Sequence, residues 1–577
     1  MTLSRLRKTY YSLLFIFLTL LVASYSNLAR GGAVLWTGQN LFYIIVFLVG
    51  ASLFYLIASS RSDSFSWVEA CAIGAFCLSL FLVVWVGSGP LPYDLDSILY
   101  MHSISFTLQN GFSPTLASNG TLLIGAAYAL PMQSTLGAAL VLVTNSSYIT
   151  VAKYLPLLLM VVFLAIYYSL VSERFGKKVS LLSVAGVASF SYVIGYANTF
   201  NNVVLGTVFF LLILSLILMR DSSNRLVLTI LAFFVIGCFV LTHDLTFVLL
   251  IAALAVLALK DQLLRIRYPE LSLRNENVTI MLLVAAVAVF AYYALVDFGP
   301  IQTIVYTFTQ QLRIEVASAT LPSSWTFQIL VERAFYVLFI IFSITLAVFR
   351  AKANLPRFLS RYANFFLLGG AFFAFGVAAA LIKAPFNWDQ ISLYGWFFFL
   401  PVTLAMLYER GGLPTLSRRG VLCSFSAVLV AALILANVYA LPTNLLDHTG
   451  ANEYLGGTFK DWTKLQEWNS VLWTIGHKNS GSQVVGDELI RRLYLGNSPN
   501  FTGNFKPIQS YNATSSDSII LIRNENFYQI IESFYVAKGT QGGISRANEP
   551  VTSLLNNQSL IRVYDDGEVR ILYSPAP

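Results

Sequence analysis

Near-continuous apolar stretches, most of them sixteen to twenty residues long, recur along this chain. They run roughly Tyr10–Ser26, Asn40–Ser59, Trp67–Gly87, Val151–Val171, Val179–Tyr196, Val203–Met219 and Leu226–Leu241. Then come Leu245–Leu259, Val278–Val296, Ala334–Phe349, Phe365–Ile382, Ile391–Leu407 and Val421–Tyr439. Wound as helices, runs of this kind cross the hydrocarbon of a bilayer, where no water is available to satisfy an open backbone. About thirteen of them predict a polytopic α-helical membrane protein. The chain is 57% hydrophobic and 11% charged, whereas about a quarter of a soluble domain is charged. An ordinary soluble enzyme is excluded. Cys71, Cys77, Cys238 and Cys423 all fall inside apolar runs with no disulfide or metal spacing, and read as packing residues.

The formal charge of +8 would suit a nucleic-acid partner only if the cations were gathered in one patch. They are dispersed over short loops instead, so no nucleic acid is expected. Arg5, Arg7 and Lys8 precede the first run, and no small-x-small cleavage site follows it, so a retained anchor is preferred over a cleaved signal peptide. With the N-terminus cytoplasmic, Arg61, Arg174, Lys177, Lys178, Arg220 and Arg225 lie inside. So do Lys260, Arg265, Arg267, Arg350, Lys352, Arg357, Arg361, Arg410, Arg418 and Arg419. The opposite loops hold only scattered cations such as Arg30, Arg313 and Lys383. This is the positive-inside pattern, and an odd number of spans then puts the C-terminus outside. Of the N-x-S/T sequons, Asn119, Asn145, Asn500, Asn512 and Asn557 fall outside and Asn277 inside.

This topology divides the chain into a membrane domain, 1–441, with a first outer loop over 88–150, and an extracytoplasmic α/β domain, 442–577. In the second part Ser518–Arg523 and Leu560–Tyr564 read as strands, the Asp565-Asp566-Gly567 turn leads into Glu568–Tyr573 as a hairpin, and Asn526–Val536 reads as a helix. Within the outer loop, Ala126–Thr144 is apolar. A full crossing there would reverse every later loop, so an interfacial or re-entrant helix is expected.

The chemistry concentrates in Gly87–Phe112, GSGPLPYDLDSILYMHSISFTLQNGF. Asp94 and Asp96 follow an apolar run directly, and His102 follows on a half-buried helix closing at Asn110-Gly111. Charged groups beside hydrocarbon are expensive and usually face protein, water or a ligand. A carboxylate there can serve as a general base or ligate a divalent metal. The competing reading is a solvated loop at a membrane exit. There is no phosphate-cradling glycine loop, nucleophile elbow or Cys/His metal cluster.

Leu95-Asp96-Ser97-Ile98-Leu99-Tyr100 through Gln109-Asn110-Gly111-Phe112 resembles the first outer loop of the GT-C membrane glycosyltransferases. That class uses polyprenyl-phosphate-linked sugars and includes protein O-mannosyltransferases, aminoarabinose transferases and the catalytic subunit of oligosaccharyltransferase. The resemblance places Asp96 on the catalytic acid and Asn110-Gly111-Phe112 on the helix end. It also covers the span ending at Glu173-Arg174-Phe175-Gly176-Lys177-Lys178. Where oligosaccharyltransferases carry a second acidic motif, this chain has Phe200-Asn201-Asn202. A carboxylate ligand is missing there, and a divalent metal (Mg or Mn) becomes optional. Leu321-Pro322-Ser323-Ser324-Trp325 is similar to the acceptor loop, with Ala319 where that family has a Glu and Glu315 nearby. No Trp-Trp-Asp-Tyr-Gly motif follows, so asparagine-linked oligosaccharide transfer is not expected.

The resemblance implies transfer of a sugar, with inversion, from a polyprenyl-phosphate donor to a glycan, lipid or protein acceptor on the outer face of an archaeal or bacterial cell membrane. Asp96, or Asp94, would act as the base. His102, His243, Arg313, Arg333 and Lys383 are candidates for the donor and its phosphate, and Asp244, Glu315 and Trp325 for the acceptor side. His243-Asp244 equally suits capping of the next helix, and the cations equally suit interfacial snorkelling. The rival functions are a transporter or flippase of lipid-linked or envelope components, and a non-catalytic envelope protein with an outer binding domain.

Overall fold

The computed structural model describes residues 3–29, 48–53, 55, 67–87, 95–111, 131–218, 225–267, 276–295, 327–381, 388–408, 428–437, 465–478, 482–486, 490, 505–507, 517–523, 529–531, 544–546, 560–565 and 569–574. Helices dominate. The first are α1 (Leu3–Ala29), α2 (Trp67–Gly87), α3 (Leu95–Asn110), α4 (Met132–Thr144) and α5 (Tyr148–Phe175). α6 (Lys177–Ala188), α7 (Ser191–Tyr196), α8 (Asn202–Leu218), α9 (Arg225–Val240), α10 (Asp244–Arg267) and α11 (Glu276–Leu295) follow. After them come α12 (Phe327–Ala353), α13 (Leu355–Arg361), α14 (Ala363–Leu381) and α15 (Trp388–Tyr408), then α16 (Val428–Asn437) and α17 (Leu465–His477).

Among the described residues four helices are long and apolar enough to cross a membrane, within α5, α10, α12 and α15. The number becomes five if α13 and α14, bent by 72°, form one broken span. Shorter apolar helices fall on several of the other runs, and α2 has the predicted bounds of its run. The run Val179–Tyr196 is not one helix, contrary to expectation. α6 stops at Ala188 and Phe190 is extended at φ −63°, ψ 134° before α7 resumes. An apolar run records burial and does not record where the backbone bends.

The helix termini separate into two ends. At one, the Arg174 guanidinium, closing α5, donates to the carbonyls of Arg361 (3.0 Å) and Ser360. Arg350, near the end of α12, donates to the carbonyl of Met406 near the end of α15. Lys260 of α10 donates to Asn364 at the start of α14. The cations that the sequence assigns to one side therefore do meet. At the other end Trp85 of α2 meets Lys153 near the start of α5, whose ammonium donates to the Trp85 carbonyl (3.1 Å). The α7–α8 and α9–α10 turns gather there as well. Neighbouring helices thus alternate in direction.

α15 is the most enclosed helix, with 94% of its apolar window buried against 22% for that of α12. Because lipid is as apolar as leucine, such helices associate through close packing and internal polar bonds more than through a hydrophobic drive. Gly369 and Gly395 let α14 and α15 approach, since a Cβ on Gly395 would lie 3.1 Å from the Gly369 carbonyl. Trp396 then packs on Tyr336 at 4.8 Å and on Phe339 at 5.2 Å. Tyr167 donates to the Phe397 carbonyl (2.9 Å), joining α5 to the same helix.

The C-terminal residues build a five-stranded sheet in the order β2-β1-β3-β7-β6. Its strands are β1 (Gln483–Gly486), β2 (Phe505–Pro507), β3 (Ser518–Arg523), β6 (Ile561–Asp565) and β7 (Val569–Ser574). β1 runs parallel to β2 and β3, while β7 is antiparallel to β3 and β6. The alternating apolar pattern of SIILIR forms β3, and β6–β7 is the expected hairpin, with Asp565 paired to Arg570 (3.4 Å). α17 packs on β3 and β7. The helix expected over Asn526–Val536 is a misreading. Gln529–Ile531 is β4, antiparallel to β5 (Ile544–Arg546), where two β-branched residues fit a strand once a partner is supplied.

The alternation of ends is testable. In a cysteine-free background, Asn145→Cys and Lys177→Cys, exposed at the two termini of α5, are expected to react with a membrane-impermeant maleimide from opposite sides of sealed vesicles. Labelling of both from the same side would mean that α5 does not cross.

Candidate functional site

The end of the bundle opposite Arg174, Lys260 and Arg350 carries the polar groups of interest. α3 closes as the sequence predicts: Gly111 adopts φ +70° and its amide donates to the Thr107 carbonyl (3.0 Å), a glycine-ended helix. The start of α3 is fixed by Ser97, wholly buried, whose hydroxyl oxygen accepts the Phe200 amide at 2.6 Å. That bond ties the first turn of α3, and with it the backbone of Asp96, to the turn between α7 and α8.

This turn is rich in amides. Asn198 is 1% exposed and its Nδ2 donates to the carbonyls of Phe81 (3.2 Å) and Ile194 (2.8 Å), while its Oδ1 is buried with no hydrogen-bond partner among the described residues. The Nδ2 of Asn201 donates to Thr199 Oγ1 at 3.4 Å, and its Oδ1 is likewise buried and unpartnered. Asn202, fully buried, opens α8.

Two further segments close round it. α4 enters at Pro131, and the Met132 amide donates to the Leu241 carbonyl (3.1 Å), so α4 starts on the α9–α10 turn. Ser134 of α4 hydrogen-bonds Ser103 of α3. Gly137 allows the contact, because a Cβ there would lie 2.6 Å from Ile104 Cδ1 and 3.4 Å from Phe200 Cζ. α8 passes equally close to α10: a Cβ on Gly206 would stand 2.5 Å from Thr246 Oγ1 and 3.1 Å from His243 Cβ. Four segments distant in sequence thereby share one end.

The sequence candidates divide on this frame. His243 is half-buried, and its Nδ1 accepts the Thr246 amide at 3.2 Å, capping α10. Asp96, His102, Asp244 and Arg333 are placed by backbone alone. Asp96 and His102 lie on α3, Asp244 opens α10 beside His243, and Arg333 lies in the first turns of α12. Asp94, Arg313, Glu315, Trp325 and Lys383 lie outside the described residues. The structure therefore joins the helix of Asp96 to the His243-Asp244 turn.

Among the described residues no three His, Cys, Asp or Glu side chains come together.

Two residues at this end escaped the sequence reading. Gln133 is 0% exposed, with both amide atoms unpartnered among the described residues. Lys153 is 3% exposed, and its ammonium lies 5.1 Å from the centroid of the Trp85 ring. Each interrupts an otherwise apolar segment, which is the signal that could have found them.

No protein-family model and no curated protein matches the chain. Among solved structures it is similar to ArnT from Cupriavidus metallidurans bound to undecaprenyl phosphate, with 12% identity, 88% of this chain and 100% of that chain covered, and a TM-score of 0.47. It is also similar to the archaeal oligosaccharyltransferase AglB from Archaeoglobus fulgidus in complex with an inhibitory peptide and a dolichol-phosphate. There the identity is 12%, 80% of this chain and 64% of that chain are covered, and the TM-score is 0.45. Both are GT-C superfamily glycosyltransferases.

Replacing Ser97 by alanine leaves the buried Phe200 amide without its acceptor. The Ser97→Ala protein is expected to be about 1–3 kcal/mol less stable, the usual effect of an orphaned buried donor. The check is the thermal unfolding midpoint of the purified protein. A midpoint equal to the wild type would remove the Ser97–Phe200 bond as the anchor of α3.

Proposed function

We propose that this protein is a polytopic GT-C-type glycosyltransferase with about thirteen spans, a cytoplasmic N-terminus and an extracytoplasmic C-terminal domain over 442–577. It transfers one sugar from a polyprenyl-phosphate donor to a glycan, lipid or protein acceptor at the outer membrane surface. The observation that carries the reading is the joint between Ser97 and Phe200. It fixes the turn that bears Asp96 against a buried, amide-rich turn, at the end of an apolar bundle opposite Arg174, Lys260 and Arg350. The loop pattern from Leu95 to Phe112 supports the same reaction class.

In this reading the donor enters from the bilayer with its head group against α3. Asp96, with Asp94 as the alternative, takes the proton of the acceptor nucleophile. The nucleophile forms a bond to the anomeric carbon as the bond to the lipid phosphate breaks, inverting the centre. Arg313, Arg333 or Lys383 balances the charge that develops on the departing phosphate, with His102 and His243 on the donor side. Asp244, Glu315 and Trp325 face the acceptor. A phosphate-linked donor makes a divalent metal optional.

Loss of a general base typically lowers turnover by about 10²–10⁴-fold. The Asp96→Asn protein, incubated with a panel of polyprenyl-phosphate sugars and candidate acceptors, is expected to lose activity by that factor. Binding of the lipid donor should persist. Wild-type rates in Asp96→Asn and in Asp94→Asn alike would refute an acid at this loop as the base.

A further inference from the structure

The least explained feature of the polar end is Gln133. A buried amide with neither hydrogen bond made loses its hydration and gains nothing in return. Such groups are rare unless a ligand or an ordered water completes them. Gln133 is 0% exposed with both Nε2 and Oε1 unpartnered among the described residues. It lies on the first turn of α4, beside the Met132 amide that binds the Leu241 carbonyl. Residues four apart share a helix face, and one turn on, Gly137 abuts Phe200 and Ile104. Gln133 therefore lies one turn before Gly137 on the helix face that packs on Ile104 of α3 and on Phe200 of the α7–α8 turn. That turn holds two more buried, unpartnered amide oxygens, on Asn198 and Asn201.

Three amides left incomplete on neighbouring segments form a set of one donor group and three acceptors with no charge among them. We propose that Gln133, with Asn198 and Asn201, is the subsite that reads the ring hydroxyls of an uncharged sugar. A primary amide matches a hydroxyl group in both directions, donating through Nε2 and accepting through Oε1. A carboxylate-bearing ring brought to these three amides would gain no opposite charge from them in return for the hydration it loses. The preferred head group is accordingly a neutral hexose or N-acetylhexosamine and not a hexuronate. This inference rests on the lipid-phosphate reading above and adds the chemical class of the sugar to it.

Equilibrium binding to the purified full-length protein in nanodiscs tests it, with four probes. They are bare polyprenyl phosphate and the same lipid phosphate carrying a hexose, an N-acetylhexosamine or a hexuronate. The wild type should bind at least one neutral sugar form about tenfold or more tighter than bare lipid phosphate, the scale of a well-made pair of hydrogen bonds. Gln133→Met keeps the volume without the amide. It should bring that ratio to within about threefold of unity and leave affinity for the bare lipid phosphate unchanged. Its unfolding midpoint should equal or exceed the wild type, because no partner is orphaned. Asn201→Ala, at a half-buried position, should lower the same ratio and serves if Gln133→Met does not fold.

Retention of the sugar preference in both variants would overturn the inference and leave an ordered water as the partner of Gln133. A lower unfolding midpoint in Gln133→Met would assign it a structural role and overturn the inference too. Equal binding of sugar-bearing and bare lipid phosphate by the wild type would overturn the inference alone, with the lipid-phosphate reading intact. Tighter binding of the hexuronate would overturn the assigned sugar class. Failure of the wild type to bind any of the four probes would overturn both.

Discussion

Inside an apolar bundle every polar group must find its partner in protein, because neither lipid nor a neighbouring leucine can supply one. That constraint organises this chain. Tyr167 spans from α5 to a carbonyl of α15, Thr207 of α8 pairs with Tyr394 at 2.7 Å, and Thr403 donates to Ser343 at 2.7 Å. Each bond joins helices far apart in sequence and fixes their relative rotation, which packing of smooth apolar faces alone would leave loosely defined. The Ser97–Phe200 bond belongs to this set, and it reaches from the bundle to the helix that carries Asp96.

The parts of the fold legible in the sequence are those governed by this solvent rule. An apolar run near twenty residues has few other uses, so Trp67–Gly87 was recognisable with its ends. The cations of Arg174, Lys260 and Arg350 were sorted to one side before any contact was known. The glycine end of α3 and the β6–β7 hairpin were equally local signals. What stayed hidden depends on partners brought from elsewhere. Phe190 breaks a run whose composition is uniformly apolar, and Gln529–Ile531 becomes a strand because Ile544–Arg546 lies beside it.

The site shows the same division. Asp96 and the Phe200-Asn201-Asn202 turn were singled out separately, by loop pattern and by the absence of a second acid. That the two are neighbours follows only from the serine between them. Gln133 was overlooked because one amide in an apolar nineteen-residue stretch has little weight in a periodicity argument. Its importance comes from burial without a partner, a three-dimensional property.

The contrast between the two ends of the bundle bears on where function can reside. At the basic end the cations are consumed by architecture. Arg174 and Arg350 donate to main-chain carbonyls near the closing turns of neighbouring helices, and Lys260 holds Asn364 beside Asp261 at 3.4 Å. Cations on helix C-terminal carbonyls offset the negative pole of the helix dipole, a structural use that a ligand would have to undo. At the other end, Asn198 and Asn201 use their N–H groups locally, and among the described residues their carbonyl oxygens and both amide atoms of Gln133 are unpartnered. Burial of incomplete polar groups destabilises a fold and persists where something else completes them. The three amides unpartnered among the described residues lie at the end that carries the helix of Asp96, the end to which the proposed reaction assigns the substrate.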